Sequence, residues 1–137
     1  MTDTTQSLGF QVRVKTDFET AQQWVAEALK TEGFGVLTEI DVKSTLKQKL
    51  GEDFRPYKIL GACNPKLAHQ ALTTAPMVGL LLPCNVTVEQ ADDETVLVSL
   101  VDPIMMLGVV QDPDLETIAE EARARLSRVA AILEEKA

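Results

Sequence analysis

The residue types best suited to chemistry are two cysteines and one histidine. Cys63, His69 and Cys84 lie within 22 residues of one another, and each cysteine is followed by an asparagine. Cys63 stands between a predicted strand and the start of a predicted helix, where the helix dipole favours a reactive thiolate. Two cysteines and one histidine also suit Zn²⁺ or Cu⁺ with an open coordination position. Alternatively, the cysteines are small hydrophobic residues of the core.

A second cluster of chemically useful residues lies in the loop at positions 53–58. This loop holds an acid, two aromatic residues and two bases, a mixture that is typical of ligand pockets. Arg55 and Lys58, together with Lys43 and Lys47, concentrate positive charge in an otherwise acidic chain. The pattern predicts either a small-anion site or a solvated charged face.

The remaining motifs give weaker indications of a site. Met105 and Met106 are adjacent and therefore face different ways, which favours adaptable packing over copper binding. A triad of the Ser-His-Asp type would depend wholly on His69, the single histidine of the chain.

Composition limits the class of protein. The 137 residues, 15.0 kDa, fit one domain spanning 1–137. Thirteen basic against twenty-one acidic residues give a formal charge of −8, which opposes binding to nucleic acid. The sequence shows no apolar run of the roughly 18 residues that a membrane span requires, nor a signal-peptide pattern at its start. We therefore predict a cytoplasmic protein without a membrane or nucleic-acid partner.

The elements that must position these residues follow from periodicity and caps. Alternating apolar residues predict strands at 9–15, 34–40, 57–63, 79–89 and 95–101. Helical spacing predicts helices at 16–32, 41–50 and 64–75, and a long one from 112 to the C-terminus, with Asn64 and Asp112 as N-caps. The order β-α-β-α-β-α-β-β-α predicts one compact α+β domain, a mixed sheet of about five strands covered by helices. Parallel pairing of the third and fourth strands would bring Cys84 near residues 61–63.

Several segments resemble a known family. The stretch 53–65, the pair Ala68-His69, the stretch 79–86 and the run 101–103 resemble the bacterial and archaeal family called domain of unknown function 302. The resemblance covers about residues 9–136. It implies a compact α+β domain that assembles as a homodimer, and it implies no activity. The family motif passes through the residues that the sequence pattern already indicates, namely Arg55, Tyr57, Cys63, Asn64, Pro65, His69, Cys84 and Asn85. Of these, Arg55, Tyr57, Asn64 and Asn85 are candidate ligand-binding residues.

These observations favour a homodimeric binding module. Its pocket would lie near Cys63, His69 and Cys84 and would hold a small ligand, an anion or a soft metal. The alternative is a thiol-dependent redox or nucleophilic enzyme with Cys63 as nucleophile, His69 as base and Cys84 as resolving thiol. A third hypothesis is that both cysteines are unreactive residues of the core.

Overall fold

A five-stranded sheet runs through the computed structural model, which describes residues 8–137. The strands are β1 (Gly9–Val14), β2 (Gly35–Asp41), β3 (Tyr57–Cys63), β4 (Cys84–Gln90) and β5 (Val96–Val101). The α-helices are α1 (Phe18–Thr31), α2 (Val42–Leu50), α3 (Pro65–Thr74), α4 (Pro103–Gly108) and α5 (Pro113–Lys136), and a 3₁₀ helix spans Pro76–Leu81. The predicted α+β domain with its long C-terminal helix is confirmed.

The direction of the strands differs from the prediction. The sheet order is β1-β5-β4-β3-β2, and every neighbouring pair in the described chain is antiparallel. The expected mixed sheet, with parallel third and fourth strands, is therefore wrong. The reason is that α3 packs on α5 and on the 3₁₀ helix instead of crossing the sheet, so the chain returns at the end where β3 finished.

The fourth strand also begins later than the sequence pattern predicts. Residues 79–81, apolar enough for a strand, belong to the 3₁₀ helix, and β4 begins only at Cys84. A cis peptide bond joins Leu82 to Pro83 just before it. Pro83 therefore precedes the strand and does not interrupt it.

One face of the sheet is covered by α1 and α5. Alternate side chains of the strands point into this layer and are fully buried with the helix residues Val25, Leu29, Leu126 and Leu133. Burying each such side chain contributes about 1.5–3 kcal/mol. The strand residues that share this core include Val14, Val86, Val88, Val96, Val98 and Leu100.

Helix ends follow local sequence chemistry. Asn64 and Asp112 cap α3 and α5 as predicted, each with proline at the next position. The N-cap of α1 is Asp17, whose carboxylate accepts a 2.8 Å hydrogen bond from the Thr20 amide. Asp102 caps α4, which contains Met105 and Met106 and for which the sequence pattern predicts no element.

A second, smaller cluster of buried residues lies beyond the end of the sheet. It joins α3, the 3₁₀ helix, α4 and the first turns of α5 through Ala71, Val78, Leu107, Leu115 and Ala119. This cluster is separate from the main core, and a cavity lies between the two clusters. No helix within residues 8–137 is long and apolar enough to cross a membrane.

Candidate functional site

A cavity of about 350 Å³ lies where β2, β3 and β4 meet α3, α4 and α5. Within residues 8–137, its walls carry no charged residue, and their polar members are Thr38, Cys63, Asn64 and Cys84. The apolar part of the wall includes Phe34, Leu67, Ala71, Leu82, Met106 and Ile118. A ligand inside it would therefore meet mostly hydrocarbon and sulfur.

Both cysteines line this cavity as free thiols. Cys84 stands opposite Ala62 in the β3–β4 pairing, so Cys63 lies at the adjacent position of the neighbouring strand. Burial raises the pKa of the Cys84 thiol to about 11, and the nearby Cys63 acts in the same direction. Cys84 is therefore a neutral thiol at physiological pH, whereas the partly exposed Cys63 is the more accessible of the two.

The cavity wall beside the cysteines depends on Gly61. A Cβ atom at this position would overlap Thr38 Oγ1 and would lie 2.7 Å from Pro83 Cγ. Both neighbours line the cavity, so the missing side chain lets β2 and the residue before β4 close over β3. Sequence analysis missed this role, although a glycine inside a strand pattern signals a close approach of another chain segment.

Asn64 is a structural residue of this wall. Its Oδ1 accepts a hydrogen bond from the Leu67 amide at 3.2 Å, and its Nδ2 donates to the Glu32 carbonyl at 3.3 Å. These bonds join the start of α3 to the end of α1, where Gly33 turns the chain with φ 83°. Asn64 thus positions the wall, and its role as a ligand-binding residue stays a prediction.

His69 lies apart from the thiols. It is exposed, and it is not part of the cavity wall, which α3 builds from Leu67, Ala68, Ala71 and Leu72. His69 falls outside this stripe because successive residues of a helix are rotated by about 100°. Within residues 8–137 no three His, Cys, Asp or Glu side chains come together to hold a metal ion. The predicted metal set of Cys63, His69 and Cys84 is therefore not assembled.

Arg55 and Tyr57 belong to a different cluster. The Arg55 guanidinium carbon lies 4.6 Å from the centre of the Phe54 ring and 5.7 Å from that of Tyr57. The same guanidinium forms a 3.2 Å ion pair with Glu89. Asn85, the last predicted ligand-binding residue, is exposed and stands opposite Gly61 in the sheet. None of these three candidates, Arg55, Tyr57 or Asn85, lines the cavity.

The basic residues on which the predicted anion site depends each donate to an acceptor of the protein itself. Lys43 Nζ donates to the Phe54 carbonyl at 3.0 Å, and Lys47 pairs with Asp53 at 3.0 Å. Lys58 pairs with Glu39 at 2.7 Å, and this hydrogen bond, with a smaller contribution from Gln22, lowers the pKa of Glu39. Since each cation has an acceptor, this arrangement favours a solvated charged face over an anion pocket.

Comparison with known proteins places the chain in a family. The family model "Domain of unknown function DUF302" matches residues 10–133. The chain is also similar to a solved structure, the uncharacterized conserved protein DUF302 from Bacillus stearothermophilus. Their TM-score is 0.83 at 35% identity, over 92% of this chain and 98% of that one. No curated protein matches. Sequence and fold agree, and the chain belongs to the DUF302 family of proteins of unknown function.

Proposed function

We propose that this protein is a binding module that holds a small ligand of apolar or soft character in the cavity beside Cys63 and Cys84. The observation that carries the proposal is the cavity itself, whose volume of about 350 Å³ falls within the range of small-molecule sites. Its position also fits such a site, because it lies between two clusters of buried residues and not inside one.

The character of the ligand follows from the wall. A charged ligand would lose its hydration on entering the cavity, and no charged side chain of the described wall would compensate for this loss. Asn64 is committed to the Leu67 amide and the Glu32 carbonyl. Of the polar side chains that line the described part of the wall, the Thr38 hydroxyl and the two thiols are left for recognition.

Thiol-dependent catalysis is the weaker candidate. Such a mechanism needs a base beside Cys63 and a resolving thiol that ionises readily. His69, the expected base, lies outside the cavity wall, and burial holds the pKa of Cys84 at about 11. The geometry therefore favours binding over a Cys63-dependent reaction.

We also propose that the module is a homodimer that pairs through β2. This strand is the last in the sheet order, and all seven of its residues are exposed. Val36, Leu37 and Ile40 are 38%, 69% and 49% exposed, which is unusual for an edge strand that faces solvent. Antiparallel pairing of two such edges around a two-fold axis would cover them and join the two sheets.

Binding of the neutral fluorescent probe N-phenyl-1-naphthylamine tests the proposed pocket. We expect its emission to rise and shift to the blue with the native protein. The Ala68→Leu variant, which fills the cavity from α3, should weaken binding at least tenfold. Ala124→Leu adds the same side chain to an exposed position of α5 outside the wall and should bind like the native protein.

Two outcomes would contradict the pocket. One is the absence of any change in emission with the native protein. The other is equal binding by the Ala68→Leu and Ala124→Leu variants, once circular dichroism has shown that both are folded.

A further inference from the structure

The wall of the cavity is exposed at one end and buried at the other. Among the described wall residues, the exposed ones are Leu37 and Thr38 in β2, Leu72 in α3 and Gly79 in the 3₁₀ helix. These residues form the mouth of the cavity. The buried wall residues form its closed end, which includes Phe34, Ala62, Cys84, Pro103, Leu107 and Ala122. A ligand therefore has one end inside the protein and one end at the solvent.

The mouth is apolar although it faces water. Leu37 is 69% exposed and Leu72 is 41% exposed. Leu37 is the extra residue of a β-bulge, because Val36 stands opposite Ala62 and Thr38 stands opposite the next residue of β3. Leu72 lies beside the 3₁₀ helix, since a Cβ atom at Gly79 would be 3.6 Å from Leu72 Cδ2. Exposed leucines at the opening of an apolar cavity favour the entry of an apolar group.

The closed end is a poor place for a polar group. The Asn64 side chain there is already bonded to the Leu67 amide and the Glu32 carbonyl. The Cys84 thiol is only a weak hydrogen-bonding group. A hydroxyl or a charge moved to this end would lose its hydrogen bonds to water, whereas a methyl group would lose none. The polar group of a ligand therefore belongs at the mouth, where water and the Thr38 hydroxyl are available.

The two ends together favour an extended ligand over a compact one. A compact apolar molecule at the closed end would leave the leucines of the mouth in water. An aliphatic chain that extends from the closed end to the mouth covers both. Each methylene group that it moves out of water adds to the affinity.

We propose that the cavity binds a single-chain amphiphile, an unbranched aliphatic chain with one polar end group. The methyl end lies at the closed end, and the polar group lies at the mouth beside Leu37, Thr38 and Leu72. This inference rests on the proposed function, because it names the class of ligand for the same pocket.

Isothermal titration calorimetry with primary alcohols from 1-hexanol to 1-octanol tests the class of ligand. The native protein should bind one alcohol per chain, and the affinity should rise about fourfold for each methylene group added. 1,8-Octanediol should bind roughly tenfold more weakly than 1-octanol or worse, because one of its two hydroxyls must enter the closed end. Equal affinities for 1-octanol and 1,8-octanediol, or affinities that do not change with chain length, would overturn the proposal.

A charge at the mouth tests the position of the polar end. Leu72→Lys places a cation there, and Gln70→Lys places one on an exposed position of α3 outside the wall. The ratio of octanoate affinity to 1-octanol affinity removes the effect of the lost leucine contact. At low ionic strength this ratio should rise about two- to fivefold in Leu72→Lys and stay close to the native value in Gln70→Lys. Equal ratios in the two variants, both folded by circular dichroism, would show that the polar end lies elsewhere.

The naphthylamine probe separates the failure of this inference from the failure of the pocket. If the native protein binds the probe but none of the alcohols, the single-chain ligand is wrong and the proposed pocket stands. If it binds neither, both proposals are wrong.

Discussion

Gly61 contributes to the cavity through the side chain that it lacks. Replacement by alanine places a Cβ atom against Thr38 Oγ1 in β2 and Pro83 Cγ just before β4. We expect Gly61→Ala to lower the free energy of unfolding by about 1–3 kcal/mol, the usual cost of overpacking. Urea denaturation measures this change.

Gly35 provides the control for this prediction. It also lies in the sheet, and a Cβ atom there meets nothing within 4 Å. The Gly35→Ala variant should be as stable as the native protein or slightly more so. Equal stabilities of the Gly61→Ala and Gly35→Ala variants would show that the close approach at Gly61 is not real.

The Cys84 thiol is protected by its surroundings. With its pKa raised to about 11 by burial, its thiolate fraction at pH 8 is roughly a hundredfold below that of an ordinary cysteine. Iodoacetamide should therefore alkylate Cys84 at least a hundredfold more slowly in the folded protein than in guanidinium. Because only the thiolate reacts, the rate should rise about tenfold per pH unit until the pH approaches 11.

Peptide mapping by mass spectrometry follows Cys63 and Cys84 separately in the same sample. Cys63 is partly exposed and serves as an internal reference for reagent access. Equal rates for Cys84 in the folded and denatured protein would contradict the buried position assigned to it.

At the scale of elements, Asn64 joins two helices. Its side chain caps α3 and also binds the carbonyl of Glu32 at the end of α1. Loss of an N-cap alone costs about 0.5–2 kcal/mol, and the second bond adds to it. We expect Asn64→Ala to lower the free energy of unfolding by about 1–3 kcal/mol and to speed hydrogen exchange of the Leu67 amide.

Asn85→Ala is the matched variant for this comparison. Asn85 is exposed and also follows a cysteine, but none of the side-chain hydrogen bonds described above involves it. Its replacement should change stability by less than about 0.5 kcal/mol, as is usual for surface positions. An Asn64→Ala variant as stable as Asn85→Ala would show that Asn64 does not join α1 to α3.

Local chemistry made most elements predictable. The caps at Asn64 and Asp112 and the spacing of α5 are short-range signals, and they identified these helices correctly. Strand direction is not a short-range signal. The predicted parallel pairing failed because it depends on where α3 packs, which only contacts distant in sequence decide.

The same distinction applies to the site. The cysteines were recognisable by type, and Cys84 lies beside residues 61–63 as expected, although through an antiparallel strand pairing instead of a parallel one. The roles of Thr38 and Met106 could not be predicted, because separate segments of the chain bring them to the cavity. Sequence distance makes His69 a predicted partner of the cysteines, yet its position on the helix places it on the exposed side of α3, outside the cavity wall.

At the scale of the whole molecule, the exposed edge of β2 predicts the assembly. Light scattering should give a mass of twice the 15.0 kDa of one chain. Ile40→Lys places a charge on the proposed contact and should produce monomers. Met77→Lys adds the same charge to an exposed position outside β2 and should leave the dimer intact. A native protein that is monomeric at all concentrations would contradict pairing through β2.

A ¹H–¹⁵N NMR titration with N-phenyl-1-naphthylamine tests whether this cavity is the binding site. We expect the largest amide shifts at the cavity wall, around Thr38, Cys63, Ala68 and Met106, with saturation at one probe per chain. Amides of the open sheet face, such as Gln11 and Ser99, should remain unchanged. Shifts absent from the cavity wall, or centred on the open face, would contradict the proposal that this cavity is the binding site.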